Sequence, residues 1–164
     1  PLREPQEALR RAHLLIRTGG TEREESLRGG PSLPLFRGVH LPRELVEAAT
    51  GRALPLTELR GVKVCAFAGI GSPETFRQSL TALGAEVVSF RAFPDHHSYG
   101  LPDIESLRRL AAESGAGRIV TTEKDGVRLA DYPNFLPEIS LLRIGMEITP
   151  ADEFTALLFS RLLY

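Results

Sequence analysis

From residue 61 onward, apolar and polar positions alternate between two periods. "VKVCAFAGI" (62–70) is a continuous apolar run of strand length. "SPETFRQSLTALG" follows and puts Phe76, Leu80 and Leu83 on one helical face, with Ser72 as cap, Pro73 at the first position and Gly84 as stop. "AEVVSFRAF" predicts the next strand. "DIESLRRLAAESG" predicts a helix with Ile104, Leu107, Leu110 and Ala111 inward and Asp103 as cap. "GRIVTT", the short helix "EKDGVRLAD" ended by "YPNFLP", the strand "EISLLRIGMEI" and the closing helix "TPADEFTALLFSRLL" complete the series. In the closing helix Thr149 and Asp152 read as a capping box, Pro150 as its first residue, and Phe154, Leu157, Leu158 and Leu162 as its stripe.

Before residue 61 the pattern is weaker. "QEALRRA" predicts a short helix and "HLLIR" a buried strand. Residues 18–34 hold glycines and charges and predict a loop. "LFRGVHL" predicts a short β segment, "RELVEAA" a weak helix, and a subdomain boundary is placed near Arg60.

Strand and helix alternating at about thirty-residue spacing predict the α/β class: a three-layer arrangement with a mainly parallel sheet flanked by helices. Ligands of such sheets bind beyond the carboxyl ends of the strands. Those ends carry "GIGSPE", "FPDHHSY" and "TTEKD", three polar motifs on one edge.

Composition narrows the class without naming a function. A hydrophobic share of 42% against 25% charged residues is that of a globular domain able to bury a core. A net charge of -1 gives no electrostatic case for nucleic acid or an anionic membrane. The single Cys65 excludes an internal disulfide and any multi-cysteine zinc site, and its apolar setting favours a buried inert thiol. No run is long enough to span a bilayer as a helix. The chain opens "PLREPQEALRR" without an initiator Met, which leads us to expect a piece of a longer protein.

Each strand-end motif has a functional and a structural reading. Gly69-Ile70-Gly71 fits an anion-facing loop or a plain βα turn. The third glycine of the dinucleotide fingerprint is replaced by Glu74, and the plain turn is favoured. Asp95-His96-His97 is harder to explain by packing. A histidine exchanges or orients a proton near neutral pH, and an aspartate beside it fixes its tautomer or binds Mg²⁺. Adjacent residues of an extended backbone face opposite ways, so one histidine is expected to work and the other to serve the turn. In Thr121-Thr122-Glu123-Lys124-Asp125, Thr122 and Asp125 read as a capping box. Against that, and weighed evenly with it, Lys124, one of only two lysines, reads as a phosphate partner or structural ion-pair donor into the site. His13 and His40 read as structural or surface groups. No G-x-x-x-x-G-K-[ST], G-x-S-x-G or H-E-x-x-H occurs.

In combination, "PLREP", "FAGIGSPETFRQSLTALGAEV", "FPDHHSY" and "TTEKDGVRL" resemble the C-terminal half of the tetraacyldisaccharide 4'-kinase (lipid A 4'-kinase) family, in order and spacing over nearly the whole chain. The resemblance implies a Rossmann-like C-terminal subdomain of a P-loop-type kinase at 61–164, with residues 1–60 as the tail of the N-terminal kinase subdomain carrying a loop/β insertion. It implies transfer of the ATP γ-phosphoryl group, with Mg²⁺, to the 4'-hydroxyl of a lipid A disaccharide precursor. The place implied is the cytoplasmic face of the bacterial inner membrane, with peripheral contact and no nucleic acid partner. The family's Walker A loop, metal-holding carboxylates and aspartate general base belong to the N-terminal half, so ATP and Mg²⁺ are expected to bind mainly there, and this chain alone is expected to be inactive. The family's histidine partner of the base falls on His96, with Asp95 beside it and His97 next in the turn. Arg3 and Glu4 match a block near the active site, and Lys124 and Asp125 match the "EKD" block as substrate- or phosphate-binding candidates. Two other classes remain open: a metal-dependent phosphoesterase of the Asp-His-His type, and a non-catalytic Rossmann-like binding module.

Overall fold

The computed structural model describes residues 6–18 and 33–162, in two compact units. One is Pro42–Ile144. The other combines the described residues up to Leu41 with those from Gly145 onward. Arg3, Glu4 and most of the 18–34 loop lie outside the described residues.

The first strands are β1 (Leu15–Thr18), β2 (Leu35–Glu47) and β3 (Ala53–Leu54); β4 (Lys63–Ala68), β5 (Glu86–Ala92), β6 (Arg118–Thr122) and β7 (Ile139–Thr149) follow. The helices are α1 (Pro73–Ala82), α2 (Leu101–Glu113), α3 (Glu123–Arg128) and α4 (Ala151–Leu162), and 3₁₀ turns cover Gln6–Arg11, Leu56–Leu59 and Leu136–Glu138.

In the Pro42–Ile144 unit the strand order is β2-β7-β6-β4-β5, with β3 antiparallel on β2. β4 pairs in parallel with β5 and β6, and β6 in parallel with β7. The pleat of β4 divides its apolar run between two cores. Val64, Ala66 and Ala68 pack with Phe76 and Leu80 of α1, while Cys65 and Phe67 pack with Ile104, Leu107 and Ala111 of α2. The result is the three-layer α/β arrangement that the alternation predicts. Burial pushes the Cys65 thiol above its ordinary range, so it stays protonated and unreactive.

Local readings failed where burial depends on distant partners. "RELVEAA" is not a helix: Arg43 to Glu47 continue β2, and Ala48 and Ala49 enter the turn that follows. Leu45 and Val46 pair with Leu54 and Ala53 and are buried, and this sheet contact outweighs the favourable helix propensity of Glu, Leu and Ala. Of "HLLIR", Leu15, Ile16 and Arg17 form a strand with Thr18, in register with Leu35–Gly38, but Ile16 stays 39% exposed rather than buried. α2 begins at Leu101, two residues before Asp103, which caps from inside the first turn by accepting the Gly100 N–H. Pro150 stands before α4 rather than in it. Its carbonyl accepts the Phe154 N–H, which moves Thr149 and Asp152 out of capping-box positions. Phe154 meets Phe36 edge to face at 5.3 Å, whereas Leu158 of the predicted stripe is exposed.

Candidate functional site

Because β6, β4 and β5 are parallel neighbours, their carboxyl ends deliver "TTEKD", "GIG" and "FPDHH" to one edge. The three segments are tied together at Asp125, which is 0% exposed. One carboxylate oxygen accepts from the Gly69 N–H at 3.1 Å and the Thr122 hydroxyl at 2.7 Å. The other accepts from the Tyr99 hydroxyl at 2.9 Å and from Arg128 Nη1 at 3.0 Å. An ionised carboxylate has about four acceptor positions, and all are filled. Thr122 does cap α3, accepting the Asp125 N–H at 3.1 Å, but the Asp125 side chain turns inward instead of closing a capping box. Burial first, then the Asp125 charge and hydrogen bond, push the Tyr99 hydroxyl far above its ordinary pKa, so it remains a donor.

Gly69 suits this closeness. A Cβ there would lie 3.0 Å from the Tyr99 hydroxyl and 3.1 Å from Asp125 Oδ1. Its N–H is engaged by Asp125, which favours the plain-turn reading of Gly69-Ile70-Gly71 over an anion loop.

The Asp95-His96-His97 segment is a turn closed by the His97 N–H on the Pro94 carbonyl at 3.1 Å. His96 sits in the left-handed region at φ 60, which histidine tolerates better than most side chains. Its N–H donates to Asp95 Oδ1 at 3.0 Å and to the Gly69 carbonyl at 3.2 Å. The two histidines part ways. His97 stacks on Phe93 with ring centroids 4.6 Å apart, and its Nε2 lies 3.1 Å from Asp103 Oδ2. The His96 side chain is 83% exposed, with Arg128 Nη2 at 3.2 Å from its Nδ1 and Asp95 Oδ2 at 3.8 Å from its Nε2.

Asp103 links this turn to α2. The Gly100 N–H, and after it His97, hold its carboxyl below the usual range. A depressed folded-state pKa contributes stability above the unfolded value, near 3.9, that disappears as pH falls through the folded value. We expect Asp103→Ala to lose about 1 kcal/mol at pH 7, as for loss of a helix cap. Urea unfolding at pH 7 and pH 3 should show that difference shrinking in acid.

Of the other predicted residues, Lys124 is exposed on the first turn of α3, while Glu123 accepts from Arg143, which also pairs with Glu44. Arg3 and Glu4 lie outside the described residues. Among the described residues no three His, Cys, Asp or Glu side chains group as a metal site, so the further ligands an Asp-His-His phosphoesterase needs are not assembled there. The sequence reading passed over Arg128 and Tyr99. The i,i+3 spacing of Asp125 and Arg128 on a helix was the one available signal for the pair.

A family model for tetraacyldisaccharide-1-P 4'-kinase matches residues 1–163. The chain belongs to the tetraacyldisaccharide 4'-kinase family. It is 44% identical to the tetraacyldisaccharide 4'-kinase of Syntrophus aciditrophicus (strain SB), with 94% of this chain and 45% of that protein covered. It is 38% identical to that of Anaeromyxobacter sp. (strain Fw109-5), with 95% and 44% covered. A crystal structure of the "apo" form of LpxK from Aquifex aeolicus in complex with ATP matches at TM-score 0.65 and 26% identity, over 99% of this chain and 46% of that one. The chain thus spans about half the length of the curated kinases it matches.

Proposed function

We infer that this chain is the C-terminal part of a kinase that transfers the ATP γ-phosphoryl group to the 4'-hydroxyl of a tetraacyldisaccharide 1-phosphate in lipid A biosynthesis. Family membership supports the activity, and the likeness to a kinase in complex with ATP supports the phosphoryl donor. The observation that carries the assignment of residues is the contrast within the turn. His97 is engaged in packing on Phe93 and in the contact with Asp103, whereas His96 is held outward in a left-handed conformation at the sheet edge.

Phosphoryl transfer relies on positioning and charge stabilisation more than on covalent chemistry. In this reading His96 orients the aspartate base that the family resemblance assigns to the other half of the protein. Asp95 holds the backbone of His96 through its N–H. Lys124, exposed at the same edge, is a partner for phosphate oxygens, and His97 supports the turn. Asp125 acts as an anchor, because its acceptor positions are filled internally. Arg3 and Glu4 complete the set as candidates near the reacting groups. ATP supplies the transferred group, and Mg²⁺ is assigned to carboxylates of the other half, where the family resemblance places them. The expected setting is peripheral, at the cytoplasmic face of the inner membrane; no helix among the described residues is long and apolar enough to cross a membrane.

The test is ATP-dependent formation of the 4'-phosphate from tetraacyldisaccharide 1-phosphate. The longer protein that contains this chain should catalyse it, and residues 1–164 alone should not. No transfer by the longer protein overturns the activity. Turnover by the chain alone overturns its assignment as a dependent half.

A further inference from the structure

Arg128 is the last residue of α3, and its guanidinium reaches three groups of the site at once. Nη1 donates to the Gly69 carbonyl at 2.9 Å and to Asp125 Oδ1 at 3.0 Å. Nη2 lies 3.2 Å from His96 Nδ1. Two of these partners, Gly69 and Asp125, are buried, and the Arg128 side chain is itself only 22% exposed. Because the guanidinium is planar and rigid, the two Nη1 bonds also determine where Nη2 stands.

A guanidinium has donors only. For Nη2 to donate across this contact, His96 Nδ1 is the accepting nitrogen and the ring proton sits on Nε2. That leaves Nε2–H as a donor toward whatever approaches the exposed side of the ring. Asp95 Oδ2 at 3.8 Å from Nε2 is too far to take that hydrogen bond.

We propose that Arg128 is a positioning residue that fixes the tautomer and direction of His96, so that Nε2–H is presented to an anionic oxygen at the sheet edge. Its own anchor is the Asp125 carboxylate. The chain of contact runs from the buried hub, through one rigid fork, to the exposed imidazole. A lysine retains the charge but not the fork, so it cannot hold Gly69, Asp125 and His96 together. This inference rests on the reading of His96 as a working residue of the kinase.

The experiment is a double-mutant cycle in the longer protein, with His96→Ala, Arg128→Met and the pair, followed by 4'-kinase turnover and denaturant unfolding. Arg128→Met should lower kcat by about 10–10²-fold with KM for ATP unchanged, as expected when a catalytic group loses its alignment. In the His96→Ala background it should lower kcat no further, because its effect passes through His96. Arg128→Lys, the variant less disturbing to folding, should leave kcat nearly as low. In the protein labelled with ¹⁵N-histidine, His96 should have an imine-like Nδ1 and a protonated Nε2, and Arg128→Met should blur that distinction. Two outcomes overturn the proposal while leaving the His96 reading intact. One is wild-type kcat in both Arg128 variants beside a crippled His96→Ala; the other is an equal further loss from Arg128→Met in the His96→Ala background. Wild-type kcat in His96→Ala overturns the His96 reading and this inference together.

Discussion

His96→Ala is expected to lower the kcat of the longer kinase by about 10²–10⁴-fold, the range for loss of a group that assists proton transfer. Folding should be nearly unaffected, because the ring is 83% exposed. His97→Ala should behave in the opposite way. It removes the stack on Phe93 and the contact with Asp103, so it should lower stability by roughly 1–2 kcal/mol while the folded fraction turns over normally. His96→Gly sharpens the contrast. At φ 60 a glycine lacks the clash between Cβ and carbonyl that strains other residues, so this variant should be more stable than His96→Ala by ~1 kcal/mol. It should nonetheless be as inactive. Turnover of all three near wild type would mean that the turn serves shape alone, and loss in His97→Ala alone would move the chemistry to the packed ring.

The largest expected effect on stability is at Asp125. Asp125→Ala leaves the Arg128 guanidinium, the Tyr99 and Thr122 hydroxyls and the Gly69 N–H without their common acceptor. Breaking a buried charged pair by removing one member costs about 3–5 kcal/mol, against a total stability of about 5–15 kcal/mol for a domain. A fall in the urea midpoint equivalent to at least 3 kcal/mol is expected, and a change below 1 kcal/mol would sink the idea that this carboxylate joins the three strand ends. Tyr99→Phe isolates one arm of the hub. It removes a single donor to a charged group and should cost roughly 1.5–3 kcal/mol. Since the His96 N–H bonds to the Gly69 carbonyl, which Arg128 also holds, loosening the hub should weaken turnover as well as stability.

The roles within "TTEKD" follow from geometry that short patterns do not encode. Thr122 and Asp125 are close in sequence and read as a capping box, and Arg128 lies one turn further along the same helix. Gly69 and Tyr99 are distant in sequence and reach the same carboxylate only because β6, β4 and β5 lie side by side. The same dependence explains β2. Glu44, Leu45, Ala48 and Ala49 suit a helix by local propensity, but the pairing of Leu45 and Val46 with β3 makes these two strand.

By itself, the sequence determined the succession of strands and helices after residue 61, the parallel α/β class and the three motifs at one sheet edge. These follow from periodicity, which is local: the spacing of Phe76 and Leu80, or of Ile104, Leu107 and Ala111, depends only on the geometry of a helix. The motif blocks also carried the family. Tertiary structure alone decided that Asp125 points inward, that His97 is packed while His96 is exposed, and that Arg128 joins them. The physical reason is that a hydrogen bond between residues such as Gly69 and Asp125, separated by 56 positions, leaves no period in the chain; it forms only when the sheet brings both ends together and burial excludes the water that would replace it.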